Sequence, residues 1–183
     1  MKIFEETMQK LSKSNRRRIL YAVILVLGIA VDQLTKALAV KHLAGRVTLP
    51  LWKNVFHFTY VENRGAAFGM LKDHRWIFLI FSTVAILALA FYLFRGVSYL
   101  SDKREDGSYP PLGTLGGIAL SLIVSGGIGN MIDRLALGYV VDFIDVRLIN
   151  FAVFNVADSF VCVGAGLLAL HLLLPFFKKK EKN

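Results

Sequence analysis

The sequence predicts an all-α integral membrane protein: four transmembrane helices with both termini cytoplasmic, and a small extracytoplasmic β-rich segment between helices 1 and 2. Three observations predict it. Of 183 residues, 55% are hydrophobic, and the mean hydropathy is +0.54, more apolar than an ordinary soluble domain. Four apolar stretches each approach the ~20 residues that cross a hydrocarbon layer of about 30 Å. Between the first two, the apolar pattern changes to a period of two. Irregular backbone cannot face lipid, so the whole chain, 1–183, is expected to form a single membrane domain.

The first span, about 19–40, runs from Ile19 to Val40 and is interrupted by Asp32, Gln33, Thr35 and Lys36. Arg16 to Arg18, the apolar run to Val31 and then Ala37-Leu38-Ala39 imitate a secretory signal. Asp32, Gln33 and Lys36 ill suit the end of a signal's apolar core, and cleavage would remove polar groups that the rest of the chain needs. The β-rich segment, about 46–70, alternates Phe56, Phe58 and Tyr60 with His57, Thr59 and Val61. With Pro50, Trp52 and Phe68 it fits a small sheet at the membrane interface that helps shape a pocket; a plain extracytoplasmic loop fits nearly as well.

Spans two and three, about 76–94 and 112–132, carry no charge, and Asp102 to Gly107 between them mark a solvated turn. The fourth, about 157–177, is apolar from Ser159 to Phe177 apart from His171.

Basic residues set the orientation. Lys2, Lys10, Lys13 and Arg16 to Arg18 precede the first span and Lys178, Lys179, Lys180 and Lys182 follow the last, which places both ends in the cytoplasm. Lys41, Arg46, Lys53, Arg64, Lys72 and Arg75 in the loop before Trp76 argue the other way, and the two termini outweigh them. A net charge of +9 and a pI near 9.8 fit anionic lipid headgroups rather than nucleic acid, because the basic clusters border spans. Cys162 has no partner cysteine, so no disulfide, zinc site or thiol nucleophile is indicated; it reads as a packing residue.

In this topology four parts of the chain bring polar groups to a similar depth near the external face. Asp32 lies about 20 Å along the first span. Asn130, Asp133 and Arg134 end the third, Asn155 and Asp158 begin the fourth, and Asp142 sits in the loop between them. Asn130 with Asp133 and Arg134, Asn155 with Asp158, and Asp32 with Lys36 are spaced to share a helix face. Ionisable groups inside a span are costly and tend to face protein or a water-filled cavity. Asp32 with Lys36, and Asp133 with Arg134 or another basic neighbour, fit structural ion pairs. Asp142 and Asp158 have no cationic sequence partner, which points to function.

Two close carboxylates resist ionising together and share a proton, so one can activate water while the other protonates a substrate carbonyl. No metal or cofactor is called for, and His42, His57, His74 and His171 are too scattered for a nucleophile–base arrangement. Asp145, three residues beyond Asp142, rivals it. The other function classes that fit carboxylates in a small bundle are a proton- or ion-coupled transporter and a noncatalytic lipid-binding assembly protein. No inverted repeat is evident, and the acids lie near one interface instead of the midplane.

Five ordered motifs add a resemblance: Asp32-Gln33-Leu34-Thr35-Lys36, Asn63-Arg64-Gly65-Ala66-Ala67-Phe68, Gly126-Gly127-Ile128-Gly129-Asn130-Met131-Ile132-Asp133-Arg134, Val141-Asp142-Phe143 and Phe154-Asn155-Val156-Ala157-Asp158-Ser159. In order and content the chain resembles lipoprotein signal peptidase, or signal peptidase II, over nearly all its length beyond the basic N-terminal arm. The resemblance implies that Asp142 and Asp158 are a catalytic dyad. It implies that Asn63, Gly65, Asn130, Arg134 and Asn155 shape the site or orient substrate, and that Asp32, Lys36 and Asp133 support it. It further implies an aspartyl endopeptidase of the bacterial cytoplasmic membrane with its site on the outer side, where the strand-like Val55 to Val61 region and Trp52 would help clamp the peptide; a monomer is expected. Its partners would be membrane lipids, prolipoproteins bearing diacylglyceryl-cysteine, and inhibitory cyclic peptide antibiotics such as globomycin.

Overall fold

A computed structural model describes residues 13–46, 48–65, 75–99 and 112–180. The N-terminal arm before Lys13, the Ala66-Ala67-Phe68 part of the second motif, His74 and most of the charged turn before Pro111 lie outside them. Four long helices are described: α1 (Lys13–Leu43), α2 (Arg75–Tyr99), α3 (Thr114–Ala136) and α4 (Val156–Lys180). Three contain stretches long and apolar enough to cross a membrane, Asn15–Leu43, Thr114–Ala136 and Val156–Leu174; in α2 the corresponding stretch, Leu79–Phe94, is shorter. Their outer faces expose Val26, Leu27, Leu34, Phe81, Leu87, Phe91 and Leu172, a surface that requires lipid rather than water.

Helix α3 is central, packing most extensively on α4 and then on α1 and α2. Small residues make that approach possible. A Cβ on Gly126 would press into the backbone carbonyl oxygen of Ala157, and one on Gly164 would come within 2.7 Å of the Ala119 oxygen. Backbone atoms cannot rotate aside, so Gly126→Ala is expected to destabilise by ~1 to 3 kcal/mol despite alanine's better helix propensity. Gly166 faces open space, so Gly166→Ala should be neutral or stabilising in the same detergent melts. Equal melting temperatures for the two variants would show that α3 and α4 are not in tight contact at Gly126.

The β-rich segment forms strands β1 (Leu49–Trp52) and β2 (Phe56–Asn63), as its alternation predicts. They are joined by a third strand that the sequence reading placed in a loop: β3 (Val140–Val146) carries Asp142. The sheet is antiparallel in the order β1-β2-β3. Every residue of β3 is at least half-buried, so Val140-Val141-Asp142-Phe143-Ile144 is apolar on both faces and lacks the alternation by which β2 was read. Val141 and Phe143 pack on Ala39 and Leu43 at the end of α1, which seats the sheet over the same end of the helices as the start of α4.

One further expectation needs correction: Cys162 is exposed on the outer face of α4 instead of packed inside. Trp52 lies at the hairpin end, where Phe56 pairs with Val146, about 13 Å along β3 from Asp142. His171 rests its imidazole against Gly113 and Gly116 at the opposite end of the bundle.

Candidate active site

The local sequence Asn155-Val156-Ala157-Asp158 builds the start of α4 as a reciprocal cap. The Asp158 amide donates to Asn155 Oδ1 at 2.9 Å, and the Asn155 amide donates to Asp158 Oδ2 at 3.2 Å. Two otherwise orphaned helix N–H groups are thereby satisfied, and both side chains are held by contacts local to the helix start.

The remaining Asn155 hydrogens make the tertiary link. Its Nδ2 donates to Asp142 Oδ1 at 2.6 Å and to Asn130 Oδ1 at 3.1 Å. Asn130 Nδ2 donates to Asp158 Oδ1 at 2.7 Å, and Asn63 Nδ2 donates to Asp142 Oδ2 at 2.9 Å. Each carboxylate therefore receives two N–H donors, and one asparagine touches both. Asn63 is fixed in turn by the Gly65 amide, which donates to its Oδ1 at 3.0 Å in a turn where Gly65 is buried.

Beneath this layer, Lys36 of α1 contacts Asp32 Oδ2 at 2.9 Å, Asp133 Oδ2 at 3.0 Å and Asn130 Oδ1 at 2.9 Å. Asp32 accepts the Ala157 amide at 2.9 Å, and Asp133 accepts the Val141 amide at 3.1 Å. The ion pairs that the sequence allowed therefore exist, and of the two kinds of partner left open for Asp133 it takes Lys36, whereas Arg134 reaches the Asn130 carbonyl at 3.4 Å. Gln33, which the sequence reading did not single out as a site residue, bridges Asp32, Asp133 and the Gly129 carbonyl. Its place next to Asp32 in the first motif was the available signal.

Asp145 is removed from this constellation. It points to the other face of β3 and is held by Thr59 at 2.6 Å and Arg147 at 2.9 Å. Burial alone would raise its carboxyl, but those hydrogen bonds outweigh it and keep Asp145 below the ordinary range.

Asp142 behaves oppositely. Burial, reinforced by the charge of Asp158 and opposed by the Asn63 and Asn155 hydrogen bonds and by Lys36, pushes it up to about 6. The folded protein thus retains this proton between the ordinary value of 3.8 and about pH 6, where an unfolded chain has released it. The native state binds more protons in that window, so the residue's contribution to stability falls as pH rises through it. The total is roughly 3 kcal/mol at about 1.4 kcal/mol for each tenfold change in proton affinity. The unfolding free energy of the wild type minus that of Asp142→Asn should decline by about that much from pH 4 to above pH 6. A difference that stays flat would mean that Asp142 is solvated.

A neutral carboxyl beside a second carboxylate can serve as acid and base to one bound molecule. Comparison with known proteins gives the family. Residues 24–174 match the family model for signal peptidase (SPase) II. The lipoprotein signal peptidase of Clostridioides difficile (strain 630) is 44% identical over 163 residues, 89% of this chain and 99% of that protein. That of Brevibacillus brevis is 40% identical over 154 residues, 84% of this chain and 95% of that protein. A bacterial membrane enzyme solved by the in meso method at 2.3 Å resolution superposes with a TM-score of 0.72 at 29% identity, covering 90% of this chain and 93% of that one. The chain belongs to the signal peptidase II family, and is thereby a membrane protease.

Proposed function

We propose that this protein is an aspartyl endopeptidase that removes the signal peptide from diacylglyceryl-modified bacterial prolipoproteins, cutting just before the lipidated cysteine. The observation that carries the reading is the asparagine shared between the two carboxylates: Asn155 binds Asp142 through its side chain and Asp158 through its backbone. Relatives named lipoprotein signal peptidases support a lipoprotein precursor as substrate.

In this mechanism Asp142, whose burial favours the neutral form, begins as the acid and Asp158 as the base. Asp158 takes a proton from water, the water oxygen bonds to the scissile carbonyl carbon, and Asp142 gives its proton to the carbonyl oxygen. The resulting gem-diol collapses as one hydroxyl returns its proton to Asp142, the C–N bond breaks and the amine nitrogen takes the proton held by Asp158. Asn63, Asn130 and Asn155 keep the carboxylates aimed throughout, so little reorganisation accompanies the reaction.

The four-span topology belongs to the same reading. Helix α2 has 25 residues, about 37 Å at 1.5 Å per residue, which suffices for a bilayer although its described apolar stretch is shorter. With both termini in the cytoplasm, the single membrane domain holds its sheet and dyad at the outer face of the bacterial cytoplasmic membrane. A prolipoprotein anchored by its signal helix and two acyl chains presents its scissile bond at that depth and enters sideways between helices. Cyclic peptide antibiotics such as globomycin would compete for the groove, and the protein would act as a monomer.

The test is incubation of the purified protein in detergent with a diacylglyceryl-modified prolipoprotein and with its unmodified precursor, with the products read by mass spectrometry. Cleavage of the modified form alone, before cysteine and blocked by globomycin, is expected. Binding without cleavage would overturn the peptidase reading in favour of a lipid-binding role. Labelling of single cysteines placed at Asn54 and Asn15 in a Cys162→Ala background checks orientation: reagent outside the cell should reach only the first.

A further inference from the structure

We propose that Lys36 is a positioning residue for this reaction: its ammonium, clamped by Asp32 and Asp133, holds the Asn130 side chain in the orientation that aims its amide N–H at Asp158. The inference rests on the reading of Asp142 and Asp158 as the dyad, and it assigns a task to a buried cation that touches neither.

An ammonium has three hydrogens to donate. Lys36, 3% exposed, meets three acceptors at 2.9 to 3.0 Å: Asp32, Asp133 and Asn130 Oδ1. Joining α1 to α3 requires only the two carboxylates. The third hydrogen goes to a neutral amide whose other end is bonded to Asp158.

An asparagine amide is nearly symmetric in shape, so packing alone does not decide which end faces which neighbour. Here the two donors on Oδ1, Lys36 Nζ and Asn155 Nδ2, decide it. A flipped Asn130 would set its NH2 against both donors and its oxygen against the Asp158 carboxylate. Of the two donors, the ammonium makes the charge-assisted and therefore stronger bond. Asp32 and Asp133 hold that ammonium in place and are themselves tied to the Ala157 and Val141 backbone amides, next to Asp158 and Asp142 respectively.

The experiment uses the full chain in detergent with a diacylglyceryl-modified prolipoprotein. The triple variant Lys36→Met, Asp32→Asn, Asp133→Asn leaves no charge unpaired in the trio and should fold. Expected are an unchanged KM and a kcat lower by roughly 10- to 100-fold, with a melting temperature near that of the wild type. A folded triple variant with wild-type kcat would overturn the proposal.

Asn130→Asp decides the matter even if the triple variant does not fold. It keeps acceptors for Lys36 and Asn155 and turns a carboxylate oxygen toward Asp158 where the N–H donor stood, as a flipped Asn130 would. A fall in kcat with thermal unfolding unchanged supports the assignment, and wild-type kcat overturns it. Failure of the wild type to cleave would be a separate result, against the dyad itself.

Discussion

Asp142→Asn and Asp158→Asn are each expected to lower kcat for signal-peptide removal by ~10³-fold or more, with KM little changed and the fold retained. Asparagine is isosteric with aspartate, and the donors around each position, Asn63 and Asn155 at Asp142, Asn130 and the Asn155 amide at Asp158, already define the side-chain plane. What is lost is a transferable proton or the place to receive one. A positioned acid or base contributes typically ~10²- to 10⁴-fold, and groups acting as one unit do not add, so the double variant should be hardly worse than either single one. Asp145→Asn should turn over normally, because its carboxylate is engaged by Thr59 and Arg147 on the other face of β3. Normal turnover by either member of the pair, measured on lipidated substrate, would remove it from the dyad.

Lys36→Met carries the largest expected effect on stability, a loss of ~3 to 5 kcal/mol. The substitution leaves the Asp32 and Asp133 carboxylates facing each other without a cation, together with an unpaired Asn130 oxygen. Asp32 is fully buried and Asp133 nearly so, so water cannot replace the ammonium. Removing one partner of a buried ion pair costs far more than removing the whole group. Melting in detergent should therefore fall steeply for Lys36→Met and recover most of the way when Asp32→Asn and Asp133→Asn are added. A single variant that melts like the wild type would mean that these carboxylates are hydrated or already protonated, and that the trio does not couple α1 to α3.

Much of this site was legible in the residues. A carboxylate in an apolar run requires a partner, so Asp32 and Lys36, four apart on one helix, were readable as an ion pair, and the structure joins them. The strand at Phe56 to Asn63 showed in its alternation of aromatic and polar side chains, although its burial hardly alternates: in the strand only His57 is buried and only Glu62 is exposed. Strand β3 did not show, because burial on both faces erases the alternation that marks a half-exposed strand. The spacing of Asn155 and Asp158 marks the start of the fourth span, and asparagine followed three residues later by an acid is also the signal of the reciprocal cap that only the structure brought out. The partner of Asp133 stayed open between Arg134 and another basic residue, because spacing along one helix says nothing about which residue a second helix brings alongside; it is Lys36.

The amino-acid sequence by itself determined that the chain is built for a membrane, where its polar residues would gather, and which family it belongs to; these follow from hydropathy, span length and motif order, which are properties of the chain taken locally. Only the tertiary structure decided that Asp142 rides on a strand, that Asp145 points away, and that one asparagine holds both carboxylates. Those facts depend on which faces of α1, α3, β3 and α4 meet. That meeting is set by the close approach at Gly126 and by the three hydrogens of one buried lysine, contacts between residues far apart in the chain.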